Sequence, residues 1–226
     1  MDMSNRPVET RPTIDFSRPF TFVFQDPQWP MKIVIGGLFY IAALFIVGIF
    51  FIFGYLGRMT RNIIAGNPRP LPEWDDLGEY FTEGFMLSVV VLVYFLPILL
   101  ITAALLIPVI FLGSRPDEEA ARMMASCAVM AVIPLALFSS LVIPAALVRG
   151  MAENRPFAGL EIGKVLGFIR GNLTNYLLAI MIYILSSFLS QFGVVLLCIG
   201  AFFTAFWAQV VSTAAFADAY RLAERK

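Results

Sequence analysis

The stretch that decides the fold is residues 171–217, GNLTNYLLAIMIYILSSFLSQFGVVLLCIGAFFTAFWAQVVSTAAFA, in which no charged side chain occurs. A bilayer core about 30 Å thick is crossed by roughly 20 helical residues, so this block is long enough for two membrane-spanning helices. Ser190-Gln191-Phe192-Gly193 is the polar and flexible point in its middle. The sequence therefore predicts two spans, near 174–190 and 194–217, joined by a tight turn.

Three more blocks of the chain lack charge, and each is long enough for one span. The spans that they predict lie near 33–56, 86–112 and 123–148. Backbone N–H and C=O groups in lipid have to be satisfied within a segment, which favours helices. The predicted fold is an all-α, polytopic transmembrane helix bundle of about five spans, in a single domain over residues 33–217.

The composition agrees with a membrane protein and excludes several other classes. Of the 226 residues, 59% are hydrophobic and 14% charged, whereas soluble domains have about 25% charged residues. The 16 basic and 16 acidic residues cancel, so no basic excess favours nucleic acid. The chain has no histidine, which is the commonest metal ligand. Cys127 and Cys198 lie in apolar blocks and are expected to be buried among helices.

The flanking segments and loops predict an orientation. Residues 1–32 are interpreted as a polar N-terminal tail with an interfacial segment, and residues 218–226 as a charged C-terminal tail. With five spans, ten basic residues share the side of the C-terminus and six share the side of the N-terminal tail. The positive-inside rule then predicts a cytoplasmic C-terminus in the cell membrane. An N-terminus on the same side would require an even number of spans, with 33–56 folded back as a re-entrant hairpin.

Two loops on the predicted cytoplasmic side have helical apolar periodicity. Residues 72–85 and 158–170 are each expected to form an amphipathic helix at the membrane surface. Residues 57–84 carry a net charge of −2 and residues 149–172 a net charge of +2, which predicts that the two loops dock against each other. The acidic residues of 72–85 are interpreted as a solvated face, with a divalent-cation site or a hydrolytic carboxylate pair as alternatives.

Within the predicted spans there is no acid or base, which disfavours a proton pump, a voltage sensor or an ion-coupled carrier. Gln209, in the middle of the last span, is expected to form an interhelical hydrogen bond. Small residues on one face of that span predict close packing inside the bundle or against a second copy. They are Ala201, Ala205, Ala208, Ser212, Ala215 and Ala219. Four prolines in the second and third spans predict kinks or, alternatively, a transport site; they are Pro97, Pro108, Pro134 and Pro144.

Residues around the first uncharged block carry a family resemblance. They are Asp26-Pro27-Gln28-Trp29, Lys32, Gly36-Gly37, Gly54-Tyr55, Arg58, Arg61, Gly66, Leu71-Pro72-Glu73-Trp74-Asp75-Asp76 and Gly84. This set resembles a prokaryotic multi-pass membrane family catalogued as a domain of unknown function, family 4013. The resemblance implies a prokaryotic cell membrane and no established activity. It also implies structural or unassigned roles for the residues that match the motif, which are Asp26, Trp29, Tyr55, Arg58, Pro72, Trp74, Asp75 and Gly84.

The sequence offers no nucleophile–base pair, metal-ligand cluster or phosphate-binding loop, so no catalytic, cofactor-binding or metal-binding residue is predicted. The expected function is that of a non-enzymatic scaffold, assembly partner or membrane-organising component. Its expected partners are the lipid bilayer and another membrane protein or a second copy of the chain. The alternative is a transporter or permease component for a neutral or lipidic solute. A third hypothesis is an enzyme that acts at the headgroup level through the acidic residues of 72–85.

Overall fold

The regular structure of the protein is helical throughout the residues that the computed structural model describes, which are 12–111, 118–195 and 199–224. Its eight described α-helices are α1 (Arg18–Thr21), α2 (Trp29–Ala42), α3 (Val47–Ile64), α4 (Leu77–Phe111), α5 (Glu118–Ala152), α6 (Ile162–Gly171), α7 (Leu173–Ser190) and α8 (Gly200–Glu224). The predicted all-α fold is confirmed. The ends of both predicted tails, at residues 1–11 and 225–226, lie outside the described residues, as does Cys198.

Four described helices are long and apolar enough to cross a membrane, at Leu77–Ala104, Val129–Ala152, Leu173–Val195 and Gly200–Glu224. The number becomes five if Arg18–Gln25 and Trp29–Phe45, which are bent by 109° relative to each other, form one broken span. Both numbers agree with a multi-pass membrane protein. Helix α8 lies at the centre of the bundle and packs against α2, α3, α5 and α7.

The first uncharged block is not one span, so the predicted continuous helix over 33–56 is wrong. Helix α2 ends at Ala42, a 3₁₀ turn covers Ala43–Phe45, and Ile46 has a positive φ of 70° before α3 begins. The Phe39 and Phe51 rings stack at 4.7 Å, so the two helices run antiparallel as a helical hairpin. Gly48 permits this approach, because a Cβ there would collide with the Phe39 carbonyl. Hydropathy alone does not reveal the break because the turn is itself apolar.

The hairpin returns the chain to the end from which it started, and the N-terminal tail therefore lies beside the C-terminus. Arg18 forms an ion pair with Asp218, and the Ile14 backbone N–H donates to Asn175 Oδ1 at 3.0 Å. Within the described residues the N-terminal segment thus lies beside the end of α8, as the re-entrant alternative expects, while the side of the membrane on which each tail lies stays a prediction. We call this end of the bundle the charged end; its described basic residues are Arg18, Lys32, Arg58, Arg61, Arg69, Arg149, Arg155, Lys164, Arg170 and Arg221.

The loop helices also differ from the sequence-based expectation. Residues 72–76 are not helical, and α4 runs without interruption from Leu77 into the span, so the separate helix predicted over 72–85 is wrong. Asp76 explains the start of α4, because its carboxylate accepts a hydrogen bond from the Glu79 N–H at 3.2 Å as an N-cap residue does. In the second loop, a 3₁₀ segment at Pro156–Leu160 precedes α6, in place of one helix over 158–170.

The C-terminal half follows the predicted pattern with shifted boundaries. Helix α7 ends at Ser190 and a 3₁₀ segment follows at Gln191–Val195, where the sequence predicts a turn. Helix α8 begins at Gly200 rather than 194 and continues to Glu224. The predicted charged tail at 218–226 is thus helical as far as residue 224, because Arg18 and Arg221 neutralise the buried Asp218.

Candidate functional site

The buried Lys32 connects three segments at the charged end. Its Nζ lies 2.8 Å from Asp26 Oδ2 and 2.8 Å from Glu73 Oε1, and it donates to the Leu71 carbonyl at 3.0 Å. Burial raises the pKa of Asp26, but the hydrogen bonds from Lys32 and from the Gln28 N–H outweigh it, so this pKa lies below its ordinary value. This Lys32 cluster, formed with Asp26, Glu73 and Leu71, holds the N-terminal segment and the loop before α4 against α2.

Trp74 fills the centre of the same end. Its ring stacks on Tyr55 at 4.2 Å and on Phe39 at 4.9 Å between centroids, and its Nε1 donates to the Lys32 carbonyl at 3.1 Å. The loop before α4 is thereby packed against both helices of the hairpin. The buried Tyr55 hydroxyl has no hydrogen-bond partner among the described residues.

The arginines of the first loop pair with acidic residues of the same loop and of α4. Arg61 forms two hydrogen bonds with Glu83, at 2.5 and 2.9 Å, and Arg58 Nη1 lies 3.7 Å from Asp75. In the second loop, Arg149 pairs with Glu153 and Glu161. Among the described residues, the ion pairs of these loops do not join one loop to the other. The described ion pairs therefore do not support docking by opposite charge; the two loops meet instead where the Thr60 hydroxyl lies 3.6 Å from the Met151 sulfur.

The remaining motif residues have packing environments. Gly84 on α4 faces the Phe50 carbonyl of α3 so closely that a Cβ would collide with it, and Pro72 is buried. Trp29 makes an edge-to-face contact with Phe24 at 5.0 Å. Seven of the eight motif residues thus gather at the charged end, while Gly84 lies where α3 and α4 cross. Within the described part of the chain, no group of three acidic or cysteine side chains is placed to hold a metal ion.

A cavity of about 350 Å³ lies within the bundle, between α3, α4, α5, α7 and α8. Its described lining carries no charged side chain and consists mainly of apolar groups, from Phe53 on α3 to Phe216 on α8. Pro144, one of the prolines noted in the sequence, lines the cavity from inside α5. The spans therefore enclose a space suited to an uncharged molecule.

Gln209 lines this cavity and forms no side-chain hydrogen bond with the described residues. The predicted interhelical hydrogen bond of Gln209 is wrong, and the neighbouring Ser212 makes one instead, with Ser186 at 2.9 Å. The hydroxyls of Thr213 and Tyr183, which also line the cavity, form no hydrogen bond among the described residues, and Tyr183 interacts electrostatically with Tyr40. Sequence periodicity places Gln209 in the last span but does not indicate a cavity, which arises from the way five helices diverge.

The small residues of α8 pack inside the chain. Ala208 and Ser212 are buried, and Ala215 and Ala219 are fully so, while Ala201 and Ala205 are partly buried. Asn172 donates to the Ala219 carbonyl at 2.7 Å, across the closely packed α7–α8 pair. This face is therefore occupied by the chain's own helices.

These features define a multi-pass helical membrane protein whose charged end is held together by ion pairs and whose bundle contains a cavity with an uncharged described lining. The chain belongs to the family described as protein of unknown function (DUF4013), whose model matches residues 37–223. Asp26 and Trp29 precede the matched range, while the other six motif residues lie within it. No curated protein and no solved structure matches the chain.

Proposed function

We propose that the protein is a non-catalytic protein of the cell membrane that holds a neutral lipidic molecule within its helix bundle. The observation that supports this most directly is the unpartnered amide of Gln209 in the cavity. Gln209 is half-buried, and a polar group that leaves water without a hydrogen-bond partner is unfavourable in an apolar environment. A ligand that offers a hydroxyl, amide or ester group to Gln209 would offset that cost.

The size and chemistry of the cavity support the same class of ligand. Small-molecule sites have volumes of about 300–1,000 Å³ and combine apolar walls with a few polar groups, and this cavity of about 350 Å³ fits that description. The described lining offers no charge to compensate an ionic ligand. Prolines inside a membrane helix, such as Pro144 in α5, are compatible with the movements that a permease component requires.

The orientation belongs to the proposal as well. With the hairpin included, the segment between α4 and the middle of α5 leaves two basic residues, Arg115 and Arg122, for the end opposite the charged end. The positive-inside rule then places the charged end, with both tails, in the cytoplasm.

A scaffold or assembly role loses one of the features that favoured it. The small-residue face of α8 was expected to pack inside the bundle or against a second copy, and within the described residues the chain itself covers it. Ion pairs within the chain likewise occupy the carboxylates Asp26 and Glu83, which a partner or a reaction would need.

The direct test is to extract the membrane protein into polymer nanodiscs without detergent and to weigh it by native mass spectrometry. The wild-type protein is expected to retain a neutral lipid in stoichiometric amount. Leu147→Trp fills the cavity and is expected to remove that lipid, whereas Leu137→Trp, on the exposed face of α5, is its matched control. The proposal would be contradicted if the wild-type protein carried no neutral lipid, or if Leu147→Trp bound as much neutral lipid as the wild type. A protein partner recovered in place of the lipid would favour the scaffold hypothesis.

A further inference from the structure

The cavity has an open side and a closed side. Three of its lining residues are exposed, and they come from three different helices: Phe95 of α4 (43% exposed), Ser140 of α5 and Tyr183 of α7 (44% exposed). All three lie within the candidate spans. The exposed rim of the cavity therefore faces the bilayer.

The opposite side of the cavity is sealed towards the charged end. Val148 and Met151, which line it there, are each only 2% exposed, and the Met151 sulfur lies 3.6 Å from the Thr60 hydroxyl of α3. Two residues further along, just past the end of α5, Glu153 accepts hydrogen bonds from Arg149 at 2.7 Å and from the Tyr220 hydroxyl at 3.3 Å. Packing followed by a charged network thus separates the cavity from water at this end.

Helices α5 and α7 form the two sides of the opening. The Tyr176 hydroxyl of α7 donates to the Leu141 carbonyl of α5, next to Ser140 in the chain. Ser140 and Tyr183, which lies two turns beyond Tyr176, are the exposed lining residues of these two helices.

We infer that the cavity is a lateral binding site, entered from the hydrocarbon of the bilayer between α5 and α7, for a single-chain neutral lipid with a hydroxyl or amide headgroup. This inference rests on the proposed function and adds to it the route and the class of ligand. The headgroup binds at Gln209 and Thr213, which lie one turn apart on α8, and the Tyr183 hydroxyl is the third available polar group. The apolar chain lies against the remaining walls.

The class of headgroup follows from the hydrogen-bonding groups that line the cavity. An amide both donates and accepts hydrogen bonds, and a hydroxyl does the same, so a neutral headgroup with both functions satisfies Gln209 and Thr213 together. A carboxylate or phosphate would leave water without a compensating cation, because the described lining has none. A cavity at the small end of the range for ligand sites takes one chain rather than two.

The route is tested by photolabelling in phosphatidylcholine proteoliposomes that contain a hexadecanol with a mid-chain diazirine. Peptides of α5 and α8 that line the cavity are expected to be labelled. Ser140→Trp, which fills the opening, is expected to slow this labelling at least tenfold. Ile184→Trp, on the exposed face of α7 outside the lining, is the matched control and is expected to have no effect. Equal labelling rates in Ser140→Trp and Ile184→Trp would overturn lateral entry.

The class of ligand is tested by competition in the same vesicles. Unlabelled hexadecanol and hexadecanamide are expected to compete at least tenfold better than hexadecane or palmitate, and Gln209→Leu is expected to abolish that difference. If hexadecane competes equally well, the headgroup assignment fails, although a lipid cavity remains. If Leu147→Trp is labelled like the wild type, the proposed function fails as well. Circular dichroism and gel filtration of each variant identify any loss of labelling that is due to misfolding.

Discussion

Trp74 lies flat against Tyr55, with ring centroids 4.2 Å apart and an angle of 15° between the ring planes. The contact joins the loop before α4 to the second helix of the hairpin, and the Trp74 N–H reaches the first helix at the Lys32 carbonyl. One indole ring thus ties together the parts of the chain that leave and re-enter the charged end.

Removing that ring is expected to destabilise the fold strongly. Trp74→Ala should lower the free energy of unfolding by about 3–5 kcal/mol, as for other buried aromatic side chains, because it opens a cavity beside Tyr55 and Phe39. The change is measured by thermal unfolding in detergent, followed by far-UV circular dichroism, which reports the helix content and not the tryptophan signal. Phe157→Ala, at an exposed position, is the control and should remain near the wild type.

The hydroxyl of Tyr55 is expected to be dispensable. Since it is buried without a hydrogen-bond partner among the described residues, Tyr55→Phe keeps the stacking and removes an unsatisfied polar group. The variant should unfold at the wild-type temperature or above it. A fall of several degrees would show that this hydroxyl has a partner after all.

The Lys32–Asp26 pair is expected to show strong coupling. Lys32→Met leaves the buried Asp26 without its cation and should cost about 3–5 kcal/mol. The double variant Lys32→Met/Asp26→Leu removes both charges and should recover much of that loss. The free energies of unfolding of the wild type, the two single variants and the double variant are measured by chemical unfolding in mixed micelles. Additive effects of the two single substitutions would contradict coupling between Lys32 and Asp26.

Stability is expected to depend on pH through Asp26. The pKa of this carboxyl is lower in the folded protein than its ordinary value, so it binds protons more readily after unfolding. Its contribution is therefore fully present above the ordinary carboxyl range, at about pH 3.9, and is lost as the pH falls through the lower folded value. Between pH 6 and pH 3, the free energy of unfolding should fall more for the wild type than for Asp26→Asn. Parallel pH profiles would count against this assignment.

The N-terminal tail and the second loop are expected to react from the same side of the membrane. Thr13→Cys and Arg155→Cys, at exposed positions of the charged end, are each placed in a variant that lacks Cys127 and Cys198. A membrane-impermeant maleimide should label both only when the cytoplasmic face is accessible, as in inverted vesicles. Labelling of Thr13→Cys alone in intact cells would restore the five-span topology.

The sequence predicts the helical spans well where uncharged blocks end at charged residues. The start of α7 after Arg170 follows from that pattern, as does the end of α5 near Arg149, whereas the turn after Ser190 follows from the polar and flexible Ser190-Gln191-Phe192-Gly193. The break at Ile46 could not be predicted in this way, because a turn of Leu44, Phe45 and Ile46 is as apolar as the helices around it. Its signal was the glycine spacing, in which Gly48 allows the two helices to meet.

Some residues of the candidate site can be recognised in the sequence, but how they come together depends on tertiary packing. The motif residues Asp26, Tyr55, Arg58 and Trp74 are recognisable in the sequence, but their convergence requires the hairpin to fold back. For Gln209 the position on α8 was visible, whereas its lack of a partner depends on how α5 and α7 diverge. Tertiary packing, rather than local pattern, creates the cavity.

The position of Phe206 has a consequence for the biogenesis of the protein. Its ring fills the space beside Gly36 on α2, and Asp218 on the same helix holds Arg18. The α2–α3 hairpin thus completes its packing only against α8, which follows much later in the chain. Because α8 is synthesised after the hairpin, the hairpin is expected to stay without this neighbour until α8 enters the membrane.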